Sequence, residues 1–252
     1  MKKLLTIIGL AAATLAGAQA QIVINALNVA NVTNFDSMGA SATAAVPAGY
    51  RVTAAGDTIV DWADVTNVTA TLQQASSGTP TTGSRYNWGQ TASDRSLGFM
   101  TSGSYADPNS IMGAFTNSTG SLITGLNLAF DYERFRINTA AASVAFFTSI
   151  NGSTWTARTA GDSGAFSTGT NAYNFAAGTV VNRSFSVTGL SIANASTFYL
   201  RWAFDTTGAN SQGIGLDNVS VTAVPEPSTW ALIGLGSAFA LWNIRRRRSI
   251  NG

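Results

Sequence analysis

Between residues 22 and 222, apolar and polar side chains alternate in runs of about six to ten residues, each closed by glycine or asparagine. A period of two puts every second side chain on one face of an extended chain, so the pattern predicts strands and not helices. The candidate strands are Ile22 to Leu27, Tyr50 to Ala54, Leu97 to Thr101, Ile111 to Phe115, Leu126 to Ile137, Val144 to Ile150, Thr154 to Arg158, Val181 to Val187, Thr197 to Phe204 and Ile214 to Thr222. Asn151 and Gly152 both tolerate positive φ, which predicts a hairpin turn between Ile150 and Trp155. Short strands at this spacing predict an all-β domain, a jelly-roll-like antiparallel β-sandwich. The span from Leu72 to Gly89 is dense in Gly, Ser and Thr and is expected to be loop.

Two strands change phase. Leu126, Leu128, Phe130 and Tyr132 share one parity while Phe135 and Ile137 take the other, which predicts a bulge near Glu133 and Arg134. Ile214 and Leu216 give way to Val219 and Val221 in the same manner.

Both ends of the chain break the alternation with continuous apolar runs. Met1-Lys2-Lys3, the apolar stretch Leu4 to Ala16 and the small-residue pair Ala18 and Ala20 read as a secretory signal peptide over residues 1–20, with Gln21 as the mature N-terminus. At the other end Trp230 to Ile244 carries no charge. As a helix those residues span about 25 Å, against a hydrocarbon core of about 30 Å, and flanking arginines and local thinning cover the difference. Trp230 and Trp242 fall where indole rings prefer the headgroup level, and Arg245, Arg246, Arg247 and Arg248 hold the tail, residues 245–252, in the cytoplasm. The membrane is thus a partner through residues 230–244. Ahead of that helix, residues 223–229 form a short motif and linker, where Pro225 and Pro227 fix φ on either side of Glu226 and keep the chain extended. The ectodomain is then residues 21–222.

Val224-Pro225-Glu226-Pro227-Ser228-Thr229, followed by an apolar helix and an arginine cluster, resembles the PEP-CTERM sorting signal of Gram-negative bacteria. The resemblance implies that Val224, Pro225, Glu226 and Pro227 are recognised by an exosortase, a membrane-embedded cysteine protease that removes the tail. It also implies association with exopolysaccharide or biofilm. The protein is then expected first in the inner membrane, with its ectodomain in the periplasm, and after processing at the outer surface or in the extracellular matrix. A looser resemblance rests on Asn34-Phe35-Asp36-Ser37-Met38-Gly39, Tyr132-Glu133-Arg134-Phe135-Arg136 and Leu216-Asp217-Asn218-Val219-Ser220-Val221. These look like the jelly-roll ectodomains of exported bacterial proteins, and the last segment like the closing strand of carbohydrate-binding-like sandwiches.

Charge changes meaning once the ends are set aside. The whole chain carries 14 basic and 12 acidic residues. Six of the basic ones lie in the two targeting segments, and residues 21–224 keep eight arginines against eleven carboxylates, a net charge of −3. Nucleic-acid binding, which draws its affinity from phosphate neutralisation, loses its basis. The chain has no cysteine and no histidine. That excludes Ser-His-Asp and Cys-His nucleophilic sites as well as thiolate and imidazole metal sites. No cofactor is implied, and a structural metal has to be an oxygen-liking ion such as Ca²⁺, with Asp57, Asp61, Asp64 and Asp217 as the candidate ligands.

Three readings follow. The first is a non-enzymatic surface or matrix protein. The second adds glycan binding, with Tyr86 and Trp88 as rings set in a polar loop where they can stack on a pyranose. The third is a glycosidase using Asp131 and Glu133, about 6.6 Å apart along one strand face. It ranks last, because Glu133 is the only glutamate in the ectodomain and arginines stand beside the pair.

Overall fold

The computed structural model describes residues 21–41, 43–53, 61–65, 71–73, 79–103, 105 and 108–225. The signal segment, Glu226, Pro227, the apolar run Trp230 to Ile244 and Arg245 to Arg248 lie outside these residues, as does Asp57. Among the described residues no helix is long and apolar enough to cross a membrane.

Fifteen strands follow in chain order: Ile22–Ile24 (β1), Ala30–Thr33 (β2), Thr43–Ala44 (β3), Tyr50–Val52 (β4), Thr71–Gln73 (β5), Ser84–Thr91 (β6), Asp94–Met100 (β7), Asn109–Asn117 (β8), Ile123–Ile137 (β9), Ser143–Ser149 (β10), Thr156–Ala157 (β11), Ala172–Tyr173 (β12), Thr179–Ile192 (β13), Thr197–Asp205 (β14) and Gly213–Pro225 (β15). They form two sheets. The small sheet runs β1, β8, β14, β10, β11, with β4 on the same edge of β8 as β1. The large sheet runs β3, β5, β6, β7, β15, β9, with β12 and β13 on the far edge of β9 and β2 beside the second half of β15. Pairing is antiparallel except for β1 with β8 and β5 with β6.

The alternation acts as expected between the sheets. Phe115 on β8, Val144 and Phe146 on β10, and Phe198, Leu200, Trp202 and Phe204 on β14 meet Leu97 and Phe99 on β7, Leu128, Phe130 and Tyr132 on β9, and Ile214 and Leu216 on β15. Phe130 lies at the centre, with ring centroids of Phe146 at 5.1 Å and Trp202 at 5.5 Å. Burying a side chain of this size contributes about 1.5–3 kcal/mol, and edge-on ring pairs add to that.

The phase change in β15 is a true bulge. Asp217 opposes Asp131 and Ser220 opposes Ala129, so β15 uses one residue more than β9 over the same distance. Asn218 absorbs it with φ at 51°, a left-handed conformation that asparagine tolerates. Val219, Val221 and Ala223 thereby rejoin Ile214 and Leu216 in the core. The phase change in β9 has a different origin. Alternation there continues unbroken from Phe130 to Phe135, and Phe135 is buried because the outer face is itself covered, by Trp88 stacked at 5.5 Å. A register shift does occur against Gly213 and Ile214, at Phe135.

The stretch expected to be loop contains β5 and β6. Strand β6 reads backwards: Tyr86 and Trp88 face outward into their own cluster, while Asn87 turns inward to donate to the Gly39 carbonyl at 2.8 Å. Polar residues on the inner face disguised the strand. At its end β15 continues past Thr222 through Ala223, Val224 and Pro225, paired with Leu126, Gly125 and Ile123 of β9. Pro225 enters the ladder as the last residue of the strand, after a register shift between Val224 and Pro225, an irregularity of the kind where its missing N–H is tolerated.

Candidate functional site

A sandwich has two outer faces as well as a core, and here both carry chemistry. On the small sheet, one rung crosses four strands: Arg51 on β4 opposes Met112 on β8, which opposes Arg201 on β14, which opposes Phe147 on β10. The next rung holds Ala114, Tyr199 and Ser149. All these side chains have the parity opposite to the core residues of their strands, so they share the outer face.

Three further groups complete that face. Trp62, from residues 61–65, lies 5.5 Å from the Tyr199 ring and covers Met112 and Ala114 together with Val65. The Trp62 N–H donates to the Gly152 carbonyl at 2.8 Å, which ties the segment to the turn after β10. Gly152 is required there, with φ at 79° and a would-be Cβ 3.0 Å from Trp62 and 3.2 Å from Tyr199. Trp155 reaches back from the same turn and is half-buried. Asn151 builds the turn through its side-chain oxygen, which accepts from the N–H groups of Ser153 and Thr154.

The two arginines are set among rings. The Arg51 guanidinium lies 4.2 Å from the Trp62 ring centre and donates to the carbonyls of Trp62 and Val65. The Arg201 guanidinium lies 4.9 Å from Phe147 and 5.9 Å from Trp155, and its Nε donates to the Ser110 hydroxyl at 3.0 Å. Burial lowers the pKa of both, yet an arginine remains charged at any ordinary pH. Burial likewise raises the Tyr199 hydroxyl, with Arg51 acting against it. Asp61 stands at the rim, its carboxylate capping the Ala63 N–H at 3.0 Å. The result is a face on which the Arg201 guanidinium and the rings of Phe147, Trp155 and Tyr199 stay part-exposed, while Arg51 and Trp62 are buried as their support. Such a surface can stack on the apolar side of a sugar ring and hold a carboxylate in two hydrogen bonds.

A separate cleft of about 440 Å³ opens at the free edge between the two sheets, with Leu126, Ile150, Leu190, Ile192 and Phe198 below a rim that includes Thr148 and Arg158.

The residues singled out from sequence are placed as follows. Tyr86 and Trp88 are 3 % and 0 % exposed, stacked on one another at 4.4 Å and, through Trp88, on Phe135. Their rings are used in packing on the large sheet, and neither offers a face to a glycan. Asp61 and Asp64 lie in the turn below Trp62, on the opposite side of the sandwich from Asp217 on β15, so these aspartates do not converge. Asp217 lies instead with Asp94 and Glu133. Asp131 accepts from Asn182 at 2.6 Å and Asn218 at 3.0 Å, while Glu133 is buried and receives the Ser96 hydroxyl. That is a packed arrangement of two separately held carboxylates, not a pair flanking a glycosidic bond. Gln21 lies at the small-sheet edge, its side-chain oxygen accepting from the hydroxyls of Thr116 and Thr197. The outer-face arginines were missed because Arg51 and Arg201 each sit singly in the sequence, and only strand register unites them.

Comparison with known proteins matches residues 223–248 to the PEP-CTERM protein-sorting motif. No curated protein matches the chain in sequence. Among solved structures, the chain is similar to the K1 cleaved adhesin domain of Lys-gingipain from Porphyromonas gingivalis W83, at 13 % identity and a TM-score of 0.38 over 77 % of this chain and 98 % of that one. It is similar also to the CBM22-1 xylan-binding domain of Xyn10C from Paenibacillus barcinonensis, at 10 % identity and a TM-score of 0.33 over 80 % and 98 %. A third is TmCBM61 in complex with β-1,4-galactotriose, at 8 % identity and a TM-score of 0.35 over 75 % and 94 %.

Proposed function

We propose that this chain, which carries a PEP-CTERM protein-sorting motif at residues 223–248, is exported and sorted to the cell surface, and that its β-sandwich is a non-enzymatic module binding acidic polysaccharide there. The observation that supports this reading is the outer face of the small sheet, where Arg51 and Arg201 are interleaved with Trp62, Trp155, Tyr199 and Phe147. Part-exposed Trp155, Tyr199 and Phe147 stack on the sugar faces, and the Arg201 guanidinium pairs with a uronate carboxylate, while buried Arg51 holds Trp62 in place beneath them. On this proposal the signal peptide of residues 1–20 directs export. Residues 230–244 hold the protein in the inner membrane until an exosortase acts at Val224 to Pro227. The freed sandwich then joins the exopolysaccharide or biofilm matrix. Val224 and Pro225, the first two residues of that motif, pair with β9 at the end of β15, and on this reading the processing enzyme acts next to the folded domain.

Native affinity electrophoresis of the full chain in detergent tests it. Gels containing a polyuronate should retard the wild type, while Arg201→Ala and Trp155→Ala should migrate as in a gel without glycan. Unretarded wild-type migration in every acidic and neutral glycan would overturn the binding reading. Sorting is tested separately by intact mass: Glu226→Ala should accumulate the unprocessed chain, and a normal mature mass in that variant would contradict recognition at this motif.

A further inference from the structure

The outer face of the large sheet holds a second concentration of charge, all of one sign. Asp94 on β7, Glu133 on β9 and Asp217 on β15 each bring a carboxylate oxygen within 4.8 Å of the other two. The three strands are neighbours, β15 lying between β7 and β9, and the backbone is built to let the carboxylates meet. Gly215 opposes both Gly98 and Glu133, and a Cβ on it would lie 2.6 Å from the Ser96 Cβ. With no side chain at that point, Glu133 reaches across β15 to accept the Ser96 hydroxyl. The bulge at Asn218 fixes the other boundary of the site, directly after Asp217.

Neutral donors account for only part of this charge. Asp217 is 3 % exposed, its backbone neighbour Asn218 supplies an N–H, and its Oδ1 is buried with no hydrogen-bond partner. Glu133 is 7 % exposed. Two more carboxylates stand near enough to act on these: Asp36, held by Asn34 and the Arg95 N–H, and Asp131, held by Asn182 and Asn218. Arg95 is adjacent in the chain to Asp94, yet its guanidinium is directed to Asn87 and to the carbonyls of Gly89 and Thr91. A buried acceptor without a donor, within reach of two more carboxylates, is the arrangement that a bound cation completes.

We propose that Asp94, Glu133 and Asp217 form a binding site for a divalent cation, Ca²⁺, that clamps β7, β15 and β9 on the outer face of the large sheet. The ligand set is all oxygen, which suits a hard ion and offers nothing to a thiophilic one. Asp94 is exposed, so the ion has an entrance and water can complete its coordination. This site is independent of the glycan reading, since it lies on the other sheet and uses none of the same residues.

The test is calorimetric titration of the full chain, stripped with EDTA and kept in detergent at neutral pH and constant ionic strength, with CaCl₂. One Ca²⁺ per chain should bind with a Kd of about 10⁻⁴–10⁻³ M, the range of extracellular Ca²⁺ modules, and thermal unfolding should move up by several degrees. Asp217→Asn puts a neutral isostere in place of the buried carboxyl and should therefore fold, in EDTA, at least as stably as the wild type. It should also lose tenfold or more in Ca²⁺ affinity and all of the thermal response, and Glu133→Gln should do the same. No heat and no thermal shift for the wild type up to about 10 mM CaCl₂ would overturn the site, as would a shift reproduced by NaCl at equal ionic strength. Wild-type affinity in Asp217→Asn would overturn the assignment equally.

Discussion

The two outer faces of the sandwich are products of one rule, since each strand turns every second side chain away from the core, yet they end in opposite chemistry. On the small sheet that parity delivers arginines and half-buried rings. On the large sheet it delivers a sealed aromatic stack and, beside it, a set of carboxylates. The first face keeps Arg201 and the rings of Phe147, Trp155 and Tyr199 within reach of solvent, over a buried Arg51 and Trp62, which suits recognition. The second buries its rings and two of its three carboxylates, which suits fastening strands together. Residue type alone does not distinguish them: tryptophan serves as a cover in Trp62, a half-buried platform in Trp155 and an interior block in Trp88.

Stability separates the faces most sharply. Trp88→Ala should cost about 3–5 kcal/mol, because it empties the stack between Tyr86 and Phe135, whereas Trp155→Ala should cost no more than about 1 kcal/mol. Chemical denaturation of the two variants checks this, and equal losses would erase the distinction. A smaller effect is expected from Ser96→Ala, which removes the hydroxyl donated to Glu133 and should cost about 1–3 kcal/mol in EDTA. Ca²⁺ should recover part of that loss.

The carboxylate face should also respond to pH in metal-free protein. Asp217 has its folded pKa raised to about 8 by burial, with Glu133, Asp36 and Asp94 adding to it. The folded chain therefore keeps a proton that the unfolded chain has released above about pH 4. The sign is that stability falls as pH rises from about 4 to about 8 and levels off beyond. The Tm in EDTA should be higher at pH 5 than at pH 8, and Asp217→Asn should flatten the profile. The smallest expected effect on stability belongs to Arg201→Lys, within about 0.5 kcal/mol of wild type. Its polyuronate affinity should nonetheless fall, because an ammonium cannot replace a planar guanidinium between two rings.

Much of the fold was legible in the chain because alternation is a local signal. β8, β9, β10, β14 and β15 lie close to their expected positions, and the bulge in β15 followed from Leu216 and Val219 standing on different parities. β6 was hidden because its apolar side chains face outward and Asn87 inward, the reverse of the usual pattern. The irregularity expected in β9 near Glu133 and Arg134 is present as a register shift at Phe135, but the burial of Phe135 that signalled it comes from a second covered face. Neither functional constellation could be read from spacing. Asp94, Glu133 and Asp217 are distant in sequence and meet only because β7, β15 and β9 are neighbours in the large sheet. Arg51 and Arg201 likewise share a rung only through their common partner Met112. The sorting motif is the contrary case, a contiguous signal readable without any fold.

The central claim is that the arginine and aromatic face of the small sheet holds an acidic glycan. Calorimetric titration of the full chain with an oligouronate, for wild type and Arg201→Ala side by side, tests it most directly. Saturable binding is expected of the wild type and none of Arg201→Ala, which should still unfold cooperatively above the titration temperature. Absence of heat from the wild type, or equal affinity in the variant, would contradict it.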